Sequence, residues 1–196
     1  TQTFASLDLD GTISNSAGSS ELTITGASAI GGSITTSGTQ DYEGAVTVTG
    51  NSTLVSGDQI TFDTTVNSEG SETNNLTVTA TELQVDGILG GTQTLGVIDI
   101  TGILDLNAAI TNATSLSVSS TSNLGADVTT TGDQTYTGAA VLSANVILTT
   151  TSNGDVYFGL TLDGGYDLDI TTNGTGDVTF VGAVGGTTPL GDITIS

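Results

Sequence analysis

The stretch that decides the fold is VTTTGDQTYTGAAVL at residues 128–142, together with its earlier copy, ITTSGTQDYEGAVTV at residues 34–48. The two stretches align without gaps at an offset of 94 residues. They share two threonines, a glycine, a glutamine, a tyrosine and a Gly-Ala pair in one frame. Similarity within one chain at a fixed period is the signature of a repeat architecture.

A second pair of stretches repeats at almost the same distance. LQVDGILGGTQTLGVIDI at residues 83–100 matches VTFVGAVGGTTPLGDITI at residues 178–195, and TQTFASLDL at residues 1–9 matches the end of the first of these. We therefore predict one β-repeat unit at 1–91, a second at 92–186 and the start of a third at 187–196. Since the chain opens and stops in the same phase, we expect one continuous solenoid cut from a longer array.

Within each unit, short segments alternate between apolar and polar residues. Typical triplets are LDL at 7–9, VTV at 46–48, LSV at 116–118 and VTF at 178–180, and Gly, Asn, Ser and Asp lie between them. Thr and Ser together make up nearly a third of the chain. This alternation is typical of half-buried strands joined by tight turns, and no stretch has a helical period. The sequence predicts an all-β protein.

Two all-β architectures fit the pattern. The first is a right-handed parallel β-helix, or β-solenoid, with about 20 residues per coil and a rod length of roughly 40–50 Å at the usual strand spacing. The second is a tandem of immunoglobulin-like β-sandwiches, because 94 residues is the size of one such module. The solenoid is favoured, since the apolar runs are short and the chain has four Phe, four Tyr and no Trp. A thin core needs small branched side chains rather than large aromatic ones.

The charge composition excludes many functions. The chain has 21 Asp and Glu residues but no Lys, Arg, His, Cys or Met, and its formal net charge is −21. A Ser-His-Asp triad and a lyase with a basic catalytic residue are impossible without His, Lys or Arg. Nucleic acid is not expected as a partner, because no basic side chain could neutralise a phosphate. Direct membrane insertion is not expected either, because no window of 18 residues is apolar.

The blocks TTTGDQTYTGAAVL (129–142) and FVGAVGGTTPLGDITI (180–195) resemble the repeats of giant bacterial surface proteins of the filamentous-haemagglutinin and autotransporter adhesin type. The second unit is similar along most of its length. The first copies of these blocks depart from the pattern at Thr39, Asp41 and Gln93. The resemblance implies a secreted or surface-displayed β-solenoid stalk with a structural or adhesive role, and it assigns no functional residue.

Calcium is the sharpest hypothesis for a ligand. Asp8 and Asp10, and likewise Asp167 and Asp169, are spaced two apart and should face one side of a strand. Stacked coils could bring such carboxylates around one Ca²⁺, which takes six to eight oxygen ligands. The other interpretation is that these four residues are solvated charges on the outer face. A melting temperature that is the same in excess EDTA and in millimolar Ca²⁺ would exclude a stabilising calcium site.

A glycosidase with two catalytic carboxylates is the remaining enzymatic alternative. Such enzymes usually stack the sugar on aromatic side chains, and the four tyrosines are scattered. Tyr42 and Tyr136 occupy equivalent repeat positions, which favours a packing role. We therefore expect no enzymatic activity and no catalytic residue.

The function predicted is a non-catalytic stalk or filament segment of a large bacterial extracellular or surface protein. Its expected partners are neighbouring repeats, copies of itself stacked end to end, and host or cell-surface glycans or proteins. The alternative function is an acidic β-sandwich module that binds calcium or a glycan.

Overall fold

The computed structural model describes residues 1–196 and contains no helix. Its 24 short strands pair in parallel and stack as a β-solenoid of about nine turns. The predicted β-solenoid is thereby confirmed. The immunoglobulin-like alternative is wrong, because the sheets of such sandwiches are antiparallel. No helix that could span a membrane is present.

Each full turn has three strands, which form three faces, A, B and C, visited in that order along the chain. Face A contains β1 (Gln2–Phe4), β4 (Leu22–Ile24), β7 (Gln40–Tyr42), β10 (Gln59–Phe62), β15 (Ser122–Leu124), β18 (Ala140–Leu142) and β21 (Leu162–Asp163). Face B contains β2 (Leu7–Leu9), β5 (Ser28–Ile30), β8 (Val46–Val48), β11 (Val66–Ser68), β16 (Val128–Thr130), β19 (Val146–Thr150), β22 (Leu168–Thr172) and β24 (Ile193–Ile195). Face C contains β3 (Thr12–Asn15), β6 (Ser33–Thr36), β9 (Ser52–Ser56), β17 (Gln134–Tyr136), β20 (Val156–Phe158) and β23 (Val178–Phe180).

Three longer strands in the middle of the rod bend from one face to the next. β12 (Leu76–Val85) and β13 (Leu95–Leu106) begin on face C and end on face A, whereas β14 (Ile110–Val118) begins on face B and ends on face C. β12 and β14 each have a shift of register at the bend. Because β12 precedes residue 92 and pairs with β13, which follows it, the strand ladders are continuous across this position.

The core is a single column of side chains along the rod axis. Thirty-seven buried apolar residues form one cluster, and their partners in successive coils are in register. On face A, for example, Ile24, Tyr42, Phe62 and Val85 lie one above another at intervals of 18 to 23 residues. Most strands bury the residues at i and i+2 and expose the one between, as the period of a strand requires. At about 4.8 Å per turn, nine turns give a rod of about 43 Å.

The sequence repeat and the coil are out of phase. Tyr42 lies on face A between Ile24 and Phe62, whereas its repeat equivalent Tyr136 lies on face C above Val118. The second pair of blocks behaves in the same way, since the triplet at 83–85 is on face A and the triplet at 178–180 is on face C. Each repeat therefore presents its features one third of a turn away from the previous copy.

Glycines allow the coils to approach closely at the corners. A Cβ placed on Gly44 would lie 2.2 Å from the carbonyl carbon of Gly26 in the coil before. A Cβ on Gly87 would lie 2.0 Å from the carbonyl carbon of Thr64. Any side chain at these positions would push neighbouring coils apart, because backbone atoms cannot rotate out of the way.

Candidate functional site

The four aspartates considered for calcium lie at opposite ends of the rod. Asp8 is exposed in β2, and its neighbour in the next coil is Ala29. Asp169 is exposed in β22 between Ile147 and Thr194. No group of three or more Asp or Glu side chains in the chain is arranged to hold a metal ion. The structure brings neither pair into a calcium-type cluster.

Asp167 instead binds the backbone of the neighbouring coil. Its Oδ1 accepts a hydrogen bond of 2.8 Å from the backbone N–H of Asp192, and its own N–H donates to Oδ1 of Asn145 at 3.1 Å. Asn145 also donates through Nδ2 to Asp167 Oδ2 at 3.3 Å. Three successive coils are thus joined at one corner, where each side chain accepts a hydrogen bond from a backbone N–H of the following coil.

A second corner has the same arrangement built from carboxylates alone. Asp133 Oδ1 accepts from the N–H of Asp155 at 2.9 Å, and Asp155 Oδ1 accepts from the N–H of Asp177 at 2.8 Å. Asp127 and Asp163 accept backbone N–H groups of the next coil in the same way. A carboxylate that accepts a backbone N–H makes a charge-assisted hydrogen bond, which is stronger than a neutral one. These aspartates therefore hold coils together, although they have no cation to pair with.

Amide side chains supply donors to other carboxylates on the outside of face A. Gln59 Nε2 donates to Glu82 Oε1 at 2.6 Å, and Gln84 Nε2 donates to Asp86 Oδ2 at 2.7 Å. Similar bonds follow in the next coils. Asn107 Nδ2 donates to Asp86 Oδ1 and to Asp105 Oδ2, and Asn123 Nδ2 donates to Asp105 Oδ1 at 2.7 Å. Neutral amides here take the place that Lys or Arg would occupy in an ordinary protein.

Asp41 is a carboxyl group whose surroundings disfavour its charged form. It lies on the outside of face A between Thr23 and Thr61. Partial burial raises the pKa of Asp41 above its ordinary value, and the nearby charges of Asp63 and Glu43 raise this pKa further. The charged form of Asp41 is therefore a source of instability on this face.

The shared motif of the two repeats forms a buried corner network. In the first copy, the Tyr42 hydroxyl donates to Gln40 Oε1 at 2.9 Å. Gln40 Nε2 donates to Thr36 Oγ1 at 3.1 Å and, in the next coil, to the backbone oxygen of Val55 at 2.8 Å. Thr36 Oγ1 donates to the backbone oxygen of Gly38 at 2.7 Å. The network joins the end of one face to the start of the next and fastens both to the following coil.

The second copy builds the same network at a different corner of the rod. Tyr136 donates to Gln134 Oε1 at 3.3 Å, and Gln134 Nε2 reaches Thr130 Oγ1 at 3.2 Å and the backbone oxygen of Thr149 at 2.9 Å. Burial raises the pKa of both motif tyrosines, Tyr42 and Tyr136, because the ionised form would lose its water. The packing role expected for these tyrosines agrees with their position, since both are fully buried.

The rod leaves its first and last coils uncovered. β1, β2 and β3 each pair with a strand on one side only, and so do β23 and β24. Apolar side chains that would be buried inside the rod are exposed at these ends, including Phe4 (38%), Ile193 (45%) and Ile195 (52%).

No known relative guides the interpretation of these features. Comparisons with known protein families, curated proteins and solved structures found no match. The candidate functional surface therefore rests on the structure itself, namely the carboxylate and amide side chains on the outside of the rod.

Sequence reasoning missed how the carboxylates are satisfied. Their partners lie about one coil away, so no local motif marks them. The one usable signal was an Asp or Asn recurring at the same turn in successive coils, as Asp133, Asp155 and Asp177 do at intervals of 22 residues.

Proposed function

We propose that residues 1–196 are a rigid, non-catalytic spacer segment of a large bacterial extracellular or surface fibre protein. Its task is to hold whatever lies beyond it at a fixed distance. The observation that carries the proposal is the single cluster of 37 buried apolar residues that runs through the stacked coils. A spacer needs this continuity, because a break in the core would act as a hinge.

The hydrogen bonds between coils support stiffness. The chain has 117 backbone–backbone hydrogen bonds spread over about nine turns. Bending the rod lengthens several of these bonds at once on the convex side. The Asp and Asn bonds at the corners, such as that from Asp177 N–H to Asp155 Oδ1, add side-chain connections between the same coils. Both kinds of contact run parallel to the long axis, in the direction in which a spacer is loaded.

An extracellular location is supported by the composition. With no Lys or Arg, the chain offers trypsin-like proteases no cleavage site. Its net charge of −21 favours solubility and opposes collapse onto anionic surfaces. The resemblance to filamentous-haemagglutinin and autotransporter repeats points the same way.

Surface location is tested on cells of the organism that encodes the chain, with antibodies raised against residues 1–196. Proteinase K added to intact cells should remove the antibody signal while a cytosolic marker remains. A signal that is detected only after lysis would overturn the proposed location.

Stiffness is tested by small-angle X-ray scattering of the 196-residue chain. The expected particle is a thin rod about 43 Å long with one cross-section along its length. Gly44→Pro, placed at a corner of the third coil, is the comparison variant that should break the rod. A flexible two-body profile for the unmodified chain would exclude a spacer function.

A further inference from the structure

Face C differs from the other two faces in the side chains that it turns outward. Its strands β3, β6, β9, β12, β13, β14 and β17 pair in succession and in register. Each contributes a triplet with two outward residues and one inward residue between them, and the last two triplets extend one residue past their strands. The triplets are TIS at 12–14, SIT at 33–35, TLV at 53–55, TVT at 77–79, DIT at 99–101, SVS at 117–119 and TYT at 135–137. The outward residues of these seven triplets form what we call the hydroxyl face.

Hydroxyl side chains are concentrated on this face. The seven triplets turn 14 residues outward, of which 12 are Thr or Ser, and the exceptions are Val55 and Asp99. Ser and Thr make up nearly a third of the chain, so chance would give them fewer than half of these positions. The outward rows of the other faces are mixed, with Asp41 and Gln84 on face A and Ala29 on face B.

The hydroxyl groups of this face are free to bind a ligand. Buried hydroxyls elsewhere donate to backbone oxygens, as Thr36 does to Gly38. On the hydroxyl face only Ser119 has a partner in the chain, since its Oγ accepts from the Gly102 N–H at 3.2 Å. A threonine or serine hydroxyl offers one donor and two acceptor positions, and the other eleven keep all of these for molecules outside the protein.

The array is regular in two directions. The register of the strands places Thr53, Thr77, Asp99, Ser117 and Thr135 in one column, with successive residues about 4.8 Å apart. The second column lies two residues further along each strand, at about 6.6 Å from the first. Threonine is stiff at χ1 because it is branched at Cβ, so these side chains hold their positions. Seven strands give the face a length of about 29 Å.

Both spacings are close to repeats of the oxygen atoms in ice. In hexagonal ice the shorter repeat is slightly smaller than the distance between strands, and the perpendicular repeat is slightly larger than the distance between the two columns. Threonine methyl groups restrict the motion of the water next to them, and hydroxyl groups hold such water by hydrogen bonds. We infer that the hydroxyl face binds ice, because it can fix a layer of water in positions that continue the crystal. The inference adds a ligand to the spacer function and does not depend on it.

A crystalline polysaccharide is the other flat ligand with regularly spaced hydroxyl groups. Sugar rings are usually bound by stacking on aromatic side chains, and no outward residue of the hydroxyl face is aromatic. Tyr136, the middle residue of its triplet, is fully buried. The first exposed ring of face C is Tyr157, which lies on β20 beyond the hydroxyl face. The side chains therefore favour ice over a glycan.

The test measures how the 196-residue chain distributes between ice and liquid. A fluorophore is attached to the α-amino group, which is the only amine in a chain without Lys. Ice is grown slowly from a dilute solution on a cooled surface, and the fluorescence of the ice is compared with that of the remaining liquid. Serum albumin provides the background, because an ordinary protein is pushed ahead of the growing crystal. We expect the chain to be enriched in the ice several-fold over albumin.

Two tyrosine variants place a bulky ring on the hydroxyl face. Thr77→Tyr and Thr101→Tyr lie on neighbouring strands, and each should reduce the enrichment to the albumin level by holding the crystal away from the hydroxyl groups around it. Thr61→Tyr is the matched control, because Thr61 is a half-buried outward threonine of face A, and it should keep the enrichment. Tyrosine is favoured in strands, so all three variants should melt close to the parent chain. If one face C variant fails to fold, the other still decides.

Exclusion of the unmodified chain from ice would overturn the inference. An equal loss for Thr61→Tyr and the face C variants would overturn it as well, because the effect would not belong to one face. Retention on insoluble cellulose that Thr77→Tyr abolishes, together with exclusion from ice, would assign the face to a polysaccharide instead. All three results leave the spacer function standing, since that function is tested by the scattering profile.

Discussion

Replacing Gln134 with leucine removes the amide at the centre of the second corner network without removing apolar contacts. Gln134 is fully buried, its Nε2 reaches three acceptors, and its Oε1 accepts from the Tyr136 hydroxyl. Each hydrogen bond contributes about 1 kcal/mol net, and a buried hydroxyl left without a partner costs about 1–3 kcal/mol. Since leucine recovers part of this through burial, we expect Gln134→Leu to lower the free energy of unfolding by about 3 kcal/mol.

The double variant Gln134→Leu, Tyr136→Phe provides the internal check. It removes the orphaned hydroxyl together with the amide, so it should be more stable than Gln134→Leu alone by about 1 kcal/mol. Gln93 is exposed, and Gln93→Leu is the matched control, with an expected change within about 0.5 kcal/mol.

The assay is urea unfolding followed by far-ultraviolet circular dichroism. The midpoints are compared at a common slope, since a change of slope would show that the rod no longer unfolds as one unit. A loss below about 1 kcal/mol for Gln134→Leu would refute the role of the network. A double variant less stable than the single one would refute it as well.

Four further predictions concern stability and are checked by thermal unfolding. Gly44→Ala should be destabilised by several kcal/mol, because its Cβ would collide with the preceding coil. Gly11→Ala is the control and should change the stability little, because a Cβ at Gly11 would have no heavy atom within 4 Å. Equal effects of the two substitutions would argue against tight corner packing. Asp155→Asn keeps a neutral acceptor for the next coil, so it should lose less stability than Asp155→Ala, which should lose about 1–2 kcal/mol; the reverse order would contradict the corner assignment. Ser122→Ala should raise the stability by about 1 kcal/mol, because the buried hydroxyl has no partner, and a loss would reveal an unrecognised one. Asp41→Asn should raise the melting temperature at pH 7, because it removes a charge that the folded state disfavours. The folded state binds the proton of Asp41 more tightly than the unfolded state, so this gain should vanish as the pH falls below the raised pKa of Asp41. A gain that persists in acid would mean that the charge is not the cause.

The fold was largely predictable because its signal is local. Alternation with a period of two places apolar side chains on one side of each strand, and short apolar runs with few aromatics require a thin core. The stacked column of Ile24, Tyr42, Phe62 and Val85 follows from this pattern once the coil length is about 20 residues. The burial of Tyr42 and Tyr136 was predictable for the same reason, since one motif in two copies implies one environment.

The candidate sites were predictable to a smaller degree. Spacing alone grouped Asp167 with Asp169 as calcium ligands, whereas Asp167 is bonded to Asn145 and Asp192 in the neighbouring coils. Which residues meet across coils depends on the number of residues in each turn, and this number varies along the chain. A shift of one residue moves a side chain from the inside to the outside of a strand. Contacts between coils therefore could not be derived from spacing within one segment.

The sequence by itself determined that the chain is acidic throughout, repeats at about 94 residues and consists of short alternating strands, and it favoured a thin stacked core over two β-sandwiches. Only the tertiary structure decided that successive repeats are rotated by one third of a turn. It also decided that carboxylates without any cation are bonded by amides and by the backbone of the next coil. The physical reason is that strand formation depends on neighbours along the chain, whereas rotation and charge compensation depend on which residues meet after one complete turn.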